Sequence, residues 1–195
     1  VPPSRRDELI DAAMRVFYKH GFHASSLDDI QREGGISRMT LYNHFKSKDE
    51  LIVAAMRRRD EIFRNRLMKF VDANARTPRE RILAVFDFHE GWFDGDEFCG
   101  CMFINAAAEF SIADSAPRRI AAEHKQEIVR YVQSLCQDAG LADPRGVAER
   151  LNLLLEGAIV SARVVGQVAQ GGANAAEPAR LAKRMAIQIL DRADA

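Results

Sequence analysis

The sequence predicts an all-α chain of nine helices in two domains. Three observations carry that prediction. Apolar residues recur at three- and four-residue spacing through most of the 195 residues, and no stretch alternates convincingly as a half-buried strand would. Capping residues precede these runs, and glycine or proline follows them. No repeat of solenoid length appears.

The elements can be taken in order. Val1 to Pro3 form a lead-in expected to be disordered. Ser4 caps a first helix ending at His20, with Gly21 as its stop and Leu9, Ala12, Ala13, Val16 and Phe17 as its inner face. Ser25 and Ser26 precede acid in a first turn, so a short second helix runs from Leu27 to about Glu33 and packs through Leu27 and Ile30. Gly34 and Gly35 permit a positive-φ turn, and Ser37 caps a third helix from Arg38. Leu41 and Phe45 give that helix one narrow inner edge, while Met39 and Asn43 project from its other side. So short a helix with so little apolar surface reads as the second helix of a helix-turn-helix.

Ser47-Lys48-Asp49-Glu50 is a capping box that opens a long fourth helix running into the 70s, with no Pro or Gly inside it. Thr77-Pro78-Arg79-Glu80 opens a fifth, to about Phe93. Cys99 to about Ile112 is an apolar sixth. Ser115-Ala116-Pro117 starts a seventh, closed by Gly140. Asp143-Pro144 starts an eighth that carries through Val168, Gly171–Asn174 form a loop, and Pro178 opens the ninth.

Formal net charge is zero, but it is unevenly spread. Residues 1–69 hold 14 Lys and Arg against 10 Asp and Glu, net +4, which leaves 14 against 18, net −4, for residues 70–195. Positive charge gathered around the third helix points to nucleic acid, although Arg57-Arg58-Arg59 alone is as well read as a solvated face. No apolar run is long enough to span a bilayer, and three cysteines argue against a disulfide framework, so a cytoplasmic protein without membrane contact is expected.

Ile10, Ala12-Ala13, Phe17, Gly21-Phe22, Ser25-Ser26-Leu27, Asp29-Ile30, Gly35-Ile36-Ser37, Thr40-Leu41-Tyr42, His44-Phe45, Lys48, Glu50 and Leu51 together resemble the DNA-binding domain of the tetracycline-repressor (TetR) family. The remainder resembles that family in its helical layout and in Gly100-Cys101-Met102-Phe103-Ile104-Asn105. Gly34 departs from the alanine usual there, and Asn43 from an aromatic, which bears on target sequence. The resemblance implies a homodimer that binds double-stranded operator DNA, represses transcription, and lets go when a small ligand enters the C-terminal domain. It divides the chain into a DNA-binding domain at 1–46 and an effector-binding and dimerisation domain at 47–195.

Under this reading Arg38, Tyr42, His44 and Lys48 lie where the family holds phosphates. Ser26 and Ser37, at helix starts, offer hydroxyls and backbone amides for the same task. Met39, Thr40 and Asn43 are candidates for base edges, since Asn pairs with adenine and a Met or Thr methyl meets a thymine methyl. Broad apolar stripes on the last two helices supply a dimer interface through Leu151, Leu155, Ile159, Val165, Leu181, Met185 and Ile189. Aromatic residues with interspersed polar groups suggest a pocket for an apolar or aromatic effector: Phe86, His89, Trp92, Phe93, Phe103, Asn105, Glu109, His124, Asn152 and Glu156. Each aromatic is also explained by core packing, and His89 and His124 by satisfied core histidines. No cofactor or metal is expected.

The alternatives are weaker. Cys99 and Cys101 suggest a metal- or redox-responsive regulator, but Cys-x-Cys is not the usual zinc spacing and neighbouring Asp94, Asp96 and Glu97 oppose a reactive thiol. A helical-bundle metalloenzyme needs convergent Glu-x-x-His pairs. His89-Glu90 and Glu123-His124 are adjacent and point about 100° apart.

Overall fold

The computed structural model describes residues 4–165 and 175–193. Among them are nine α-helices and no strand: α1 Arg5–His20, α2 Leu27–Gly34, α3 Arg38–His44, α4 Lys48–Asn74, α5 Pro78–Phe93, α6 Met102–Glu109, α7 Ala116–Asp138, α8 Pro144–Val165 and α9 Glu177–Ala193. The expected lead-in at 1–3, Val168 and the expected loop at 171–174 lie outside the described residues.

The chain forms two compact units. One comprises Val1–Phe63 with Met102–His124; the other comprises Arg64–Cys101 with Lys125–Ala195. These units follow different lines from a cut between residues 46 and 47, because α4 as far as Phe63, all of α6 and the start of α7 pack with the first three helices.

In the first unit, Ser4 and Ser26 each close a full capping box, with Asp7 and Asp29 reaching back to the cap amides. The core is Leu9, Ala12, Ala13, Phe17, Phe22, Ile30 and Leu41, all essentially inaccessible. Leu27 is only half-buried, so Ile30 is the main anchor of α2. Gly35 takes the left-handed conformation at φ 60° and ends α2. Gly34 does not share that role: it is the last residue of α2, and a Cβ there would stand 3.1 Å from Ala12 Cβ. Close helix approach, rather than a positive φ, accounts for the second glycine.

The second unit is built on α5, α8 and α9. Ala179, Ala182 and Ala186 line the inner face of α9 with Leu190. Small side chains there let neighbouring helices approach closely. Arg180 Nε meets Glu90 Oε1 at 2.6 Å and Lys183 Nζ meets Asp87 Oδ1 at 2.5 Å, which tie α9 to α5. Trp92, Phe93 and Phe98 form an edge-to-face and tilted cluster.

The sixth helix is shorter than the expected span of Cys99 to Ile112. Gly100 has φ 83°, a conformation that interrupts a right-handed helix, and a Cβ there would approach Arg163 Cγ to 3.0 Å. Cys99-Gly100-Cys101 is therefore a non-helical lead into Met102. At the far end the helix stops at Glu109, and Ile112 is largely exposed.

Candidate nucleic-acid interface

The site begins with two anchors. Leu41 and Phe45 are buried to 0% and 3% exposure and fix one edge of α3. Ser37 Oγ accepts the Thr40 N–H at 3.2 Å and lies 2.8 Å from Thr40 Oγ1, which sets where α3 starts. The other face is open. Arg38, Met39, Tyr42, Asn43 and His44 are all exposed, Met39 to 75% and Tyr42 to 49%. Thr40 is intermediate, with its hydroxyl against Ser37. An exposed methionine costs hydration free energy on a protein surface and gains by meeting an apolar group of a partner. Arg38 leans over the Tyr42 ring at 6.0 Å.

Around α3 stand two further helix starts. Ser26 Oγ accepts the Asp29 N–H at 3.1 Å, and its own hydroxyl bonds the Asp29 carboxylate at 2.6 Å. The Ser26 hydroxyl, then its backbone N–H, holds the Asp29 carboxyl below its ordinary range. At α4, Ser47 Oγ accepts the Glu50 N–H, while Glu50 reaches back to the Lys46 N–H at 2.8 Å. Lys48, the first residue of α4, donates from Nζ to the His23 carbonyl at 3.4 Å. The nine expected DNA contacts thus fall on α3 and on the starts of α2 and α4, all within the first compact unit.

The expected dimer residues separate into two sets. Leu151, Leu155 and Ile159 are buried within the chain at 0%, 1% and 3% exposure, so they close the subunit's own core and are not interface residues. Ile189 is half-buried. Val165, Leu181 and Met185 are exposed, and Leu153, Val160 and Val164 join them. On α8 the residues left uncovered are therefore others than the expected Leu151, Leu155 and Ile159. Leu153, Gly157, Val165, Leu181 and Met185 line an apolar groove of about 560 Å³.

The expected effector residues are divided between the units. Phe86, His89 and Phe93 are core residues of the second unit, and His89 Nδ1 lies 2.7 Å from the Val85 carbonyl. Trp92 is half-buried beside them. Asn152 Oδ1 is buried without a hydrogen-bond partner. Glu156 pairs with Lys125 at 2.7 Å, and Lys125 Nζ lies 3.4 Å from Cys101 Sγ. Burial pulls the Lys125 ammonium down, but Cys101 and Glu156 outweigh it and hold its pKa above the ordinary value.

In the first unit His124 stacks on Phe103 at 3.7 Å and meets Asp60 Oδ1 at 2.7 Å, and Asn105 is half-buried. Glu109 requires a correction. Its carboxylate accepts the backbone N–H groups of Phe22 and His23, so it is engaged with the α1–α2 turn instead of facing an effector. That role left no signal in local sequence, since donor and acceptor lie almost ninety positions apart. Among the described residues no group of three or more His, Cys, Asp and Glu side chains converges as a metal site would.

Residues 9–55 match the family model of bacterial regulatory proteins, tetR family. Over 89 residues the chain is 36% identical to the HTH-type transcriptional activator FasR of Mycolicibacterium smegmatis, covering 44% of this chain and 41% of FasR. Over 167 residues it is 28% identical to the HTH-type transcriptional repressor ComR of Escherichia coli, covering 81% and 79%. The chain spans about two-fifths of the length of FasR and considerably more of ComR. Its fold superposes on SCO4454, a TetR-family transcriptional regulator from Streptomyces coelicolor, with a TM-score of 0.86 over 98% of this chain and 96% of that one, at 24% identity. A capped, solvent-facing third helix set against α1 and α2 has the layout of a helix-turn-helix domain. Residues 9–55 thus match the tetR family of bacterial regulatory proteins, and the described fold is the one seen in TetR-family regulators.

Proposed function

We propose that the chain works as a homodimer whose two α3 helices enter successive major grooves of an operator. The observation that carries this is α3 itself: two buried anchors hold a helix whose remaining side chains face water. Arg38, Tyr42, His44 and Lys48, with Ser26 and Ser37, hold phosphates; Met39, Thr40 and Asn43 read bases. Residues 1–46 carry the reading surface, and 47–195 carry dimerisation and effector response. Repression is favoured over activation because the alignment with ComR, a repressor by name, extends well past the DNA-binding region. The protein acts in the cytoplasm and has no enzymatic role; no helix of the described residues is long and apolar enough to cross a membrane.

Dimerisation uses the exposed apolar face of α8 and α9, where Leu153, Val164, Leu181 and Met185 are uncovered. Release follows a small apolar or aromatic effector that favours a conformation with the reading heads misplaced. The Trp92–Phe98 cluster and the unsatisfied Asn152 oxygen support an apolar ligand with one polar group. A thiol-based input is the second reading, favoured by the ammonium beside Cys101.

The test is a titration with duplex DNA at several salt concentrations, using fragments selected from the genome. Lys48→Ala should weaken binding to every sequence and reduce the salt slope by about one. Asn43→Ala should relax preference at one or two base pairs, worth about 1–3 kcal/mol there. Wild-type behaviour in both variants would remove α3 from the groove.

A further inference from the structure

Two amides of the α1–α2 turn, those of Phe22 and His23, bond to a side chain far away in sequence. Gly21 stops α1 at φ 85° with its own N–H on the Phe17 carbonyl, and the next two N–H groups find their acceptors far away in sequence. They are met by Glu109, the last residue of α6. Phe22 N–H donates to Oε2 at 2.9 Å and Oε1 at 3.1 Å, and His23 N–H donates to Oε2 at 2.8 Å. The same residue's carbonyl lies 2.9 Å from His23 Nε2. Phe110, the next residue, packs its ring against Phe22 at 5.5 Å and His23 at 4.9 Å. The carboxylate lies close over the turn: a Cβ on Gly21 would stand 2.9 Å from Glu109 Oε1.

What this turn holds matters more than the turn. His23 offers its carbonyl to Lys48, and Ser26, the cap of α2, follows three residues on. Both are phosphate-contact candidates. We infer that Glu109 is a positioning residue for DNA binding: by clasping the α1–α2 turn it sets the Lys48 ammonium and the α2 start at the spacing a duplex backbone requires. A carboxylate accepting amide N–H groups is a strong, directional clasp. Any motion of the C-terminal turn of α6 would release it. This places the protein's control over DNA binding at one side chain outside the helix-turn-helix. The inference rests on the DNA-binding reading above.

A double-mutant cycle tests it, read by fluorescence anisotropy on a labelled mixed-sequence duplex at low salt with the full chain. Glu109→Ala should weaken binding at least tenfold while the far-UV circular dichroism and thermal transition stay cooperative. Glu109→Gln, which keeps one acceptor, should recover part of the loss. In a Lys48→Ala background the cost of Glu109→Ala should fall to about half or less on the logarithmic scale, because the two act through one contact. Additive losses would show that Glu109 only supports the fold and would overturn the inference, as would a Glu109→Ala protein that binds like wild type. Should Glu109→Ala fail to fold, Glu109→Gln against Lys48→Ala decides by the same criterion. If the wild-type protein ignores the duplex, the failure is of the DNA-binding reading itself.

Discussion

At the scale of single residues, helix caps and thiols make the sharpest claims. Ser26→Ala removes the hydroxyl that starts α2 and should destabilise the protein by about 1 kcal/mol in a denaturant titration. Its partner gives a pH signature. The Asp29 carboxyl is held low by the Ser26 hydroxyl and amide, so its contribution is present above the unfolded carboxylate range and is lost as pH falls through the lowered folded value. Thermal melts taken from about pH 6 down to about pH 3 should therefore show a falling transition, and Asp29→Asn should flatten part of that fall. Cys136 is fully buried and its pKa is pushed up to about 11 by burial, whereas Cys99 is partly exposed. Brief alkylation of the native protein followed by peptide mass analysis should label Cys99 and spare Cys136. Labelling of Cys136 at the same rate would contradict its placement.

At the scale of elements, the sequence announced helix starts well because caps are local chemistry: a hydroxyl and a carboxylate three residues apart suffice. Thr77 closes the box its spacing promised, Ser4 and Ser26 close boxes where only helix starts were expected, and at Ser47 the returning Glu50 carboxylate takes the Lys46 N–H. The ends of α6 were less legible. Gly100 interrupts a run that is otherwise apolar, and neither its positive φ nor the Arg163 side chain packed against it shows in local pattern. The inward and outward sides of the α8 stripe were hard to read for a related reason. Its apolar residues cover more than one face, and periodicity cannot tell which face meets α9 and which stays open. Leu151 and Leu155 turn inward while Leu153 and Val164 remain exposed. Burying a leucine-sized side chain contributes about 1.5–3 kcal/mol, so a charge on the open face should disrupt association. Leu181→Glu should shift the protein from dimer to monomer in sedimentation velocity without lowering helix content. A dimer that survives that change would move the interface elsewhere.

At the scale of the molecule, the first compact unit gathers segments that sequence distance keeps apart. The turn before α2 depends on Glu109, and Asp60 of α4 depends on His124 of α7. None of this was visible in local pattern, which assigned both Glu109 and His124 to an effector pocket on composition alone. The reading surface was legible because it needs few residues: two glycines, a cap and two anchors define α3, and what remains must face outward. The central claim is that two such surfaces, related by two-fold symmetry, dock on one duplex. The most direct test is footprinting of a fragment selected from genomic DNA by the purified protein, with the stoichiometry of the complex measured alongside. The account predicts an inverted repeat whose half-sites lie about 34–36 Å apart or a simple multiple of that, bound by paired chains. A protected site without symmetry, occupied by a single chain, would contradict it.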